Sequence, residues 1–250
     1  MKEANDSQSY PIGDVFSVVT PKIGSELENG LDVSSYGQKP YKQFSPFTYS
    51  PDFKIPVPGQ KDVFACSVES IWQGLKIIEG ATDLGMFSEK PQKRKGPVQG
   101  HLLDEGVVGI VEAREDIYKP SYTYYVDNFV DGNVKEMVLE KALKKGVSFY
   151  DVEPNLDIRK SSPLAHSVFL KMFFEDYLGK RLQGTKDVVD TQYKSQESEH
   201  ETLAEPIARA LELFKNASDV DKRLIKFLLS NAKIDDPFHQ RYYDHLLKEL

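Results

Sequence analysis

Apolar positions recur along this chain at two spacings, and the spacing predicts the elements. Val15–Thr20 (VFSVVT) is short, β-branched and stopped by Pro21, which predicts a strand. Residues 21–60 are rich in Gly, Pro, Ser and Tyr and predict loops with short strands, anchored by Tyr41, Phe44, Phe47 and Phe53. Pro51, Pro56 and Pro58 exclude a helix there. From Ser67, an N-cap residue, Val68, Ile71, Trp72, Leu75 and Ile78 fall on one stripe at helical spacing, with Gly80 as the stop. Residues 81–100 read as a second helix start and then a Lys/Gly/Pro loop. Val107–Ala113 (VVGIVEA) and Tyr122–Val126 (YTYYV) predict strands from their β-forming residues. Val134–Lys145 predicts a helix with Met137, Val138, Leu139, Ala142 and Leu143 on its apolar side, closed by Gly146. Val147–Val152 (VSFYDV) reads as a strand with a carboxylate near its end, followed by the loop EPNLDIRKS. Ser162-Pro163 then opens a helix to about Leu178, with Ser at N-cap and Pro at N1.

The remainder is polar at 180–200, which predicts a loop or linker, and then helical at about 201–216, 219–232 and 237–249. The expected fold class is therefore α+β and predominantly helical. A tail at 1–14 leads into a domain at 15–180, a linker at 181–200 and a helical C-terminal extension at 201–250. No internal repeat is present, which argues against a solenoid.

Composition adds limits. With 250 residues, 40% of them hydrophobic, the chain can bury a substantial core. It has no apolar run of the length a membrane helix needs, and its N-terminus lacks the apolar segment of a signal peptide. One cysteine, Cys66, forms no internal disulfide, and the expectation is a cytoplasmic protein with no membrane partner. A net charge of −7 argues against broad affinity for nucleic acid. One basic cluster, Lys90, Lys93, Arg94 and Lys95, reads either as a solvated loop or as a phosphate contact. The five histidines form no metal-ligand pair, and nucleophile-elbow, P-loop and dinucleotide fingerprints are absent, so no metal or cofactor is predicted.

Two constellations carry candidate chemistry. In Glu69-x-x-x-Gln73-x-x-Lys76, helical spacing aligns a carboxylate, an amide and an ammonium. By pattern alone this row is an exposed polar face, and Trp72 beside it reads as core. The second is Asp151, Asn155, Asp157 and His166. Turn and cap chemistry accounts for these residues. The functional alternative makes His166, in the first turn of a helix, an acid/base or phosphate-facing donor if it shares a cleft with Glu69.

Phe44-Ser45-Pro46-Phe47, followed by Ser67-Val68-Glu69-Ser70-Ile71-Trp72-Gln73-Gly74-Leu75-Lys76, resembles the opening of the NADAR (YbiA-like) family. That family carries an F-S-N-F-like element and then a helix of the type T/S-S-E-H-Y-F-Q-A-Q-K. Lys95–Gly100 resembles the stretch that reaches a Gly-Arg pair, with His101 in the Arg position, and Val134–Lys145 resembles the following helix. The resemblance spans roughly residues 41–145. Ser70 stands where the family has His, and the family's Trp-Gly-rich C-terminal element is missing. The resemblance implies a NADAR-like domain acting as an N-glycosidase on an ADP-ribosyl or ribosyl-base substrate such as ADP-ribosylated guanine, in repair, salvage or phage defence. In that scheme Glu69 stabilises oxocarbenium charge or activates water, and Lys76 holds a phosphate. Gln73 orients a ribose hydroxyl, and Phe44, Phe47 or Trp72 stacks on the base or walls off water. Ser45, Asp151, Asn155 and Asp157 complete the expected binding set, and His166 the catalytic one.

Two further readings stay open. One is a binder of an ADP-ribose-like nucleotide, free or on nucleic acid, without turnover. The other is a protein-interaction factor, such as a phage-encoded inhibitor. In the C-terminal helices, Leu203, Ile207, Leu211, Phe214, Leu224, Phe227 and Leu228 form amphipathic stripes. These pack on the domain or form a homo-oligomer or partner surface.

Overall fold

The computed structural model describes residues 15–194 and 217–231. The predicted N-terminal tail and the helices expected at about 201–216 and 237–249 lie outside the described residues. The architecture is α+β and helix predominates. The chain divides into two compact units. One comprises Phe16–Lys135 and Val147–Phe173, and the other comprises Met1–Val15, Glu136–Gly146 and Phe174–Leu250.

The first unit contains three small sheets. Strands β1 (Phe16–Val18), β2 (Gly30–Asp32) and β8 (Val147–Tyr150) form a parallel sheet with β8 in the middle, Phe16 opposite Val147 and Leu31 opposite Phe149. Phe16 and Phe149 are fully buried and stack 5.9 Å apart, which ties the first strand to one more than a hundred residues later. Strands β3 (Ile55–Pro56) and β4 (Phe64–Ala65) pair antiparallel. Strands β5 (Lys76–Ile78), β6 (Val98–Leu103) and β7 (Gly106–Val108) form an antiparallel meander. The helix α1 is a single turn, Pro21–Gly24, and a 3-10 turn covers Tyr41–Phe44.

Helix α2 (Val68–Gly74) starts as predicted, with the Ser70 amide donating to Ser67 Oγ at 3.0 Å. It stops after seven residues, short of the expected Gly80. A Cβ on Gly74 would lie 2.5 Å from the Phe87 ring, and the Asp83 amide takes the Gly74 carbonyl. Arg94 donates to the carbonyls of Gln73, Lys76 and Ala81, which serves the helix end with a long-range cation. Lys76–Ile78 then leaves the helix and pairs with β6, a strand within and beyond the expected Lys/Gly/Pro loop.

The strands expected at Val107–Ala113 and Tyr122–Val126 are overturned beyond Val108. The first ends at Val108, and a helical run follows as α3 (Ile110–Ala113), a π-helical turn (Arg114–Tyr118) and α4 (Lys119–Phe129). Ala113, Ile117, Ser121 and Tyr125 recur every fourth residue and are all buried, so burial of that stripe outweighs the β preference of the tyrosines. The Tyr122 hydroxyl donates to the Phe44 carbonyl at 2.6 Å and the Tyr125 hydroxyl to the Gln43 carbonyl at 2.5 Å, which satisfies both buried groups.

Helix α5 (Gly132–Lys145) and strand β8 form as predicted, with β8 ending at Tyr150. The next helix, α6 (Ser167–Lys194), begins after Pro163 and continues through the stretch expected to be a polar loop. Pro163 is therefore not its first residue. Within the second unit, Arg181 pairs with Asp221 of α7 (Asp219–Asn231) at 2.7 Å and with Glu136, whose Oε1 also accepts from the Tyr177 hydroxyl.

Candidate functional site

The first unit encloses a cavity of about 560 Å³, within the size range of small-ligand sites. Its wall draws on three sources. The parallel strands β2 and β8 run the same way, and the residues just past their C-terminal ends, Ser34 and Ser35 and then Asp151–Glu153, reach the cavity. Helix α2 adds Glu69, Trp72 and Gln73, and the β5–β7 meander adds Lys76, Gln99, Gly100 and His101. Ser45, Pro46, Phe47, Tyr118, His166 and Phe169 close it. The sequence-predicted residues Glu69, Lys76, His166, Ser45, Phe47, Trp72, Gln73 and Asp151 thus meet in one place. Trp72 is half-buried cavity wall rather than core.

The polar row of α2 is not an exposed face. Glu69 is 5% exposed and Gln73 is 2% exposed. Gln73 donates from Nε2 to Glu69 Oε1 at 2.5 Å, while its Oε1 accepts from Lys76 Nζ at 2.9 Å and from the Arg94 amide at 3.0 Å. These donors fix the orientation of the amide. Gln73 therefore positions Glu69. Burial pushes the Glu69 carboxyl up from its ordinary value against the Gln73 hydrogen bond and the charges of Lys76, Lys93 and His166. Burial likewise brings Lys76 down, partly offset by Glu69. Glu69 Oε2 has no hydrogen-bond partner among the described residues, so one oxygen of this carboxyl remains for a ligand.

His166 sits just before α6, at its N-cap, and not in its first turn. Its Nδ1 lies 2.7 Å from Asp151 Oδ2 and its Nε2 is 3.0 Å from the Val33 carbonyl oxygen. Both ring nitrogens of His166 are thus engaged by groups of the fold. Asp151 is engaged on both oxygens, accepting also from the Glu153 and Ser167 amides. Burial raises its carboxyl, but His166 and those amides outweigh burial and hold it below its ordinary value.

Phe44, Asn155 and Asp157 are not part of the cavity wall. Phe44 is fully buried in the core. Asn155 Oδ1 accepts from the Asp157 amide and Asp157 Oδ1 from the Arg159 amide, each two residues on, so these are Asx turns that shape the loop. Of the basic cluster, Arg94 serves carbonyls and Lys93 pairs with Glu153 at 3.4 Å.

Sequence reasoning missed Arg114 and Tyr118. Arg114 is buried and donates to the carbonyls of Ile158, Lys160 and Ser162, pinning the loop that leads to His166. Its place among Ile110, Ala113 and Ile117, three and four residues apart as on a helix, was the available signal. His101 was noted only as a departure from a motif. It is 1% exposed and stacks on Trp72 with centroids 4.0 Å apart. Burial, with Lys76 and Arg114 nearby, brings its imidazole down to about 4.

Among the described residues no group of His, Cys, Asp and Glu could hold a metal ion, and no helix is long and apolar enough to cross a membrane. The fold and this cavity belong to a family defined by sequence rather than by activity. The chain belongs to the family of unknown function DUF6939, whose model matches residues 26–170. That span contains every residue of the cavity wall named above. No curated protein and no solved structure matches the chain.

Proposed function

We propose that the cavity hydrolyses the ribose–base bond of an ADP-ribosyl or ribosyl-base substrate. The observation that carries the reading is Glu69, a buried carboxyl with a raised pKa and one unengaged oxygen, facing a ligand-sized cavity beside Lys76 and Trp72. A carboxylate with a raised pKa is a stronger base near neutrality than an ordinary one. Glu69 takes a proton from the attacking water as the C1′–N bond breaks. The water oxygen joins C1′, the bonding pair leaves with the base, and the proton taken by Glu69 is passed on to the departing base. The ionised carboxylate also opposes the positive charge building on the ribose. Lys76 faces the phosphates, and Trp72 and Phe47 wall the substrate from bulk water. The resemblance of the Ser67–Lys76 segment to the NADAR family supports the same assignment.

The test is turnover of ADP-ribosylated guanine DNA and of NAD-derived nucleotides by the wild type and by Glu69→Gln. The variant is expected to lose about a hundredfold or more in rate while still binding. Full activity in Glu69→Gln refutes the role of Glu69.

A second reading, an ADP-ribose-like binder without turnover, is favoured by His166. With both ring nitrogens held by Asp151 and Val33, His166 is not free to pair with Glu69 as a second proton-transfer group. Binding without product in the same assay selects it.

A further inference from the structure

His101 is used by nothing described so far. Neither Nδ1 nor Nε2 has a hydrogen-bond partner, and the ring is buried in the cavity wall. A buried imidazole without partners forfeits hydrogen bonds it would make in water, so its position calls for a partner supplied by something else.

Its neighbours say what kind of partner. In the meander, Lys76 is opposite His101 and His101 is opposite Val108, so these three share one face of the sheet. Lys76 gives one of its three N–H groups to Gln73 and keeps two. One residue past Val108, Gly109 is the N-cap of the helical run from Ile110 to Phe129, which continues unbroken through helical backbone at Arg114 and Lys119. Gly109 and Ile110 both line the cavity, and Gly109 offers no side chain to the first-turn amides. A Cβ built on Gly109 would meet nothing within 4 Å, so the space in front of this helix end is open. A row of ammonium, imidazole and first-turn amides along one wall is donor-rich and electropositive.

We propose that His101, Lys76 and the amides at Gly109–Ile110 form a subsite for a phosphate-type oxyanion, with His101 donating one ring N–H to it. Burial and two neighbouring cations keep the ring neutral, so it contributes a hydrogen bond without a further charge. The stack on Trp72 fixes its plane. This subsite deepens the reading of the cavity as a nucleotide site, and it does not depend on hydrolysis.

The test uses the full chain. Binding of inorganic pyrophosphate, and of ADP against adenosine, is measured by calorimetry for wild type, His101→Phe and Gly109→Asp. The His101 ring nitrogens are followed by 15N NMR during the pyrophosphate titration of wild type. His101→Phe keeps a flat ring against Trp72 and removes both nitrogens. Gly109→Asp supplies a favourable N-cap in open space, so its melting temperature is expected to hold or rise while its carboxylate occupies the subsite. The expected result is ADP binding at least tenfold tighter than adenosine, loss of that difference in both variants, and a shift of the His101 nitrogens on titration. Equal binding of ADP and adenosine by wild type, unchanged pyrophosphate binding in both variants, or unmoved His101 signals overturns the subsite. Pyrophosphate binding without turnover of any ribosyl substrate refutes hydrolysis and leaves the subsite standing.

Discussion

Gln73 donates an amide N–H to Glu69 and accepts hydrogen bonds from Lys76 Nζ and the Arg94 backbone amide, so a neutral side chain links the carboxyl to the ammonium. Its hydrogen bond lowers the Glu69 pKa against a larger upward push from burial. Gln73→Met removes that bond and is expected to move the acid limb of the pH–rate profile to higher pH. A limb that stays in place shows that Gln73 does not tune Glu69. His101 carries a separate prediction. Its folded value of about 4 lies below the ordinary 6.5, so the unfolded chain binds the extra proton first as pH falls. Stability is therefore complete above pH ~6.5 and is lost as pH falls from there toward ~4, by about 3 kcal/mol in total. Chemical denaturation across that range is expected to show a flatter dependence in His101→Phe than in wild type. Parallel slopes would mean that His101 is not the titrating group.

At the scale of elements, α4 rests on tyrosines that a β-propensity reading assigns to a strand. Tyr122 is fully buried and its hydroxyl holds the Phe44 carbonyl, so Tyr122→Phe leaves that acceptor unpaired. The expected cost is about 1–3 kcal/mol, read as a lower midpoint in chemical unfolding. No change in midpoint would show that another donor reaches the carbonyl. The elements legible in the sequence were those set by local signals. The Ser67 cap, the amphipathic Val134–Lys145 and the apolar Val147–Val152 all depend on near neighbours. The misread ones depend on distant partners. Helix α2 ends where Phe87 closes on Gly74 and Arg94 takes the last carbonyls, and β5 exists because β6 pairs with it. The site followed the same division. Glu69, Gln73 and Lys76 were legible as a row although Lys76 lies on a strand. Their burial was not, because it comes from residues far along the chain. The engagement of His166 by Asp151 and Val33 was equally out of reach, since Val33 is 133 positions away.

At the scale of the molecule, the C-terminal ends of two parallel strands, one short helix and an antiparallel meander converge on one cavity within a single unit. The family match covers this unit's cavity residues, which makes the cavity the natural place to look for the family's activity. The directions of the shifts predict a bell-shaped pH–rate profile. Its acid limb is the protonation of Glu69, above the ordinary carboxylate value of 4.5, and its alkaline limb is the deprotonation of Lys76, below 10.5. An acid limb at or below 4.5 would show that Glu69 is not the group whose ionisation matters. The most direct measurement is product analysis by mass spectrometry after incubating wild type and Glu69→Gln with ADP-ribosylated guanine DNA and with NAD-derived nucleotides. Free ADP-ribose or free base from wild type alone is the predicted result. Intact substrates with wild type, or equal product from the variant, would contradict it.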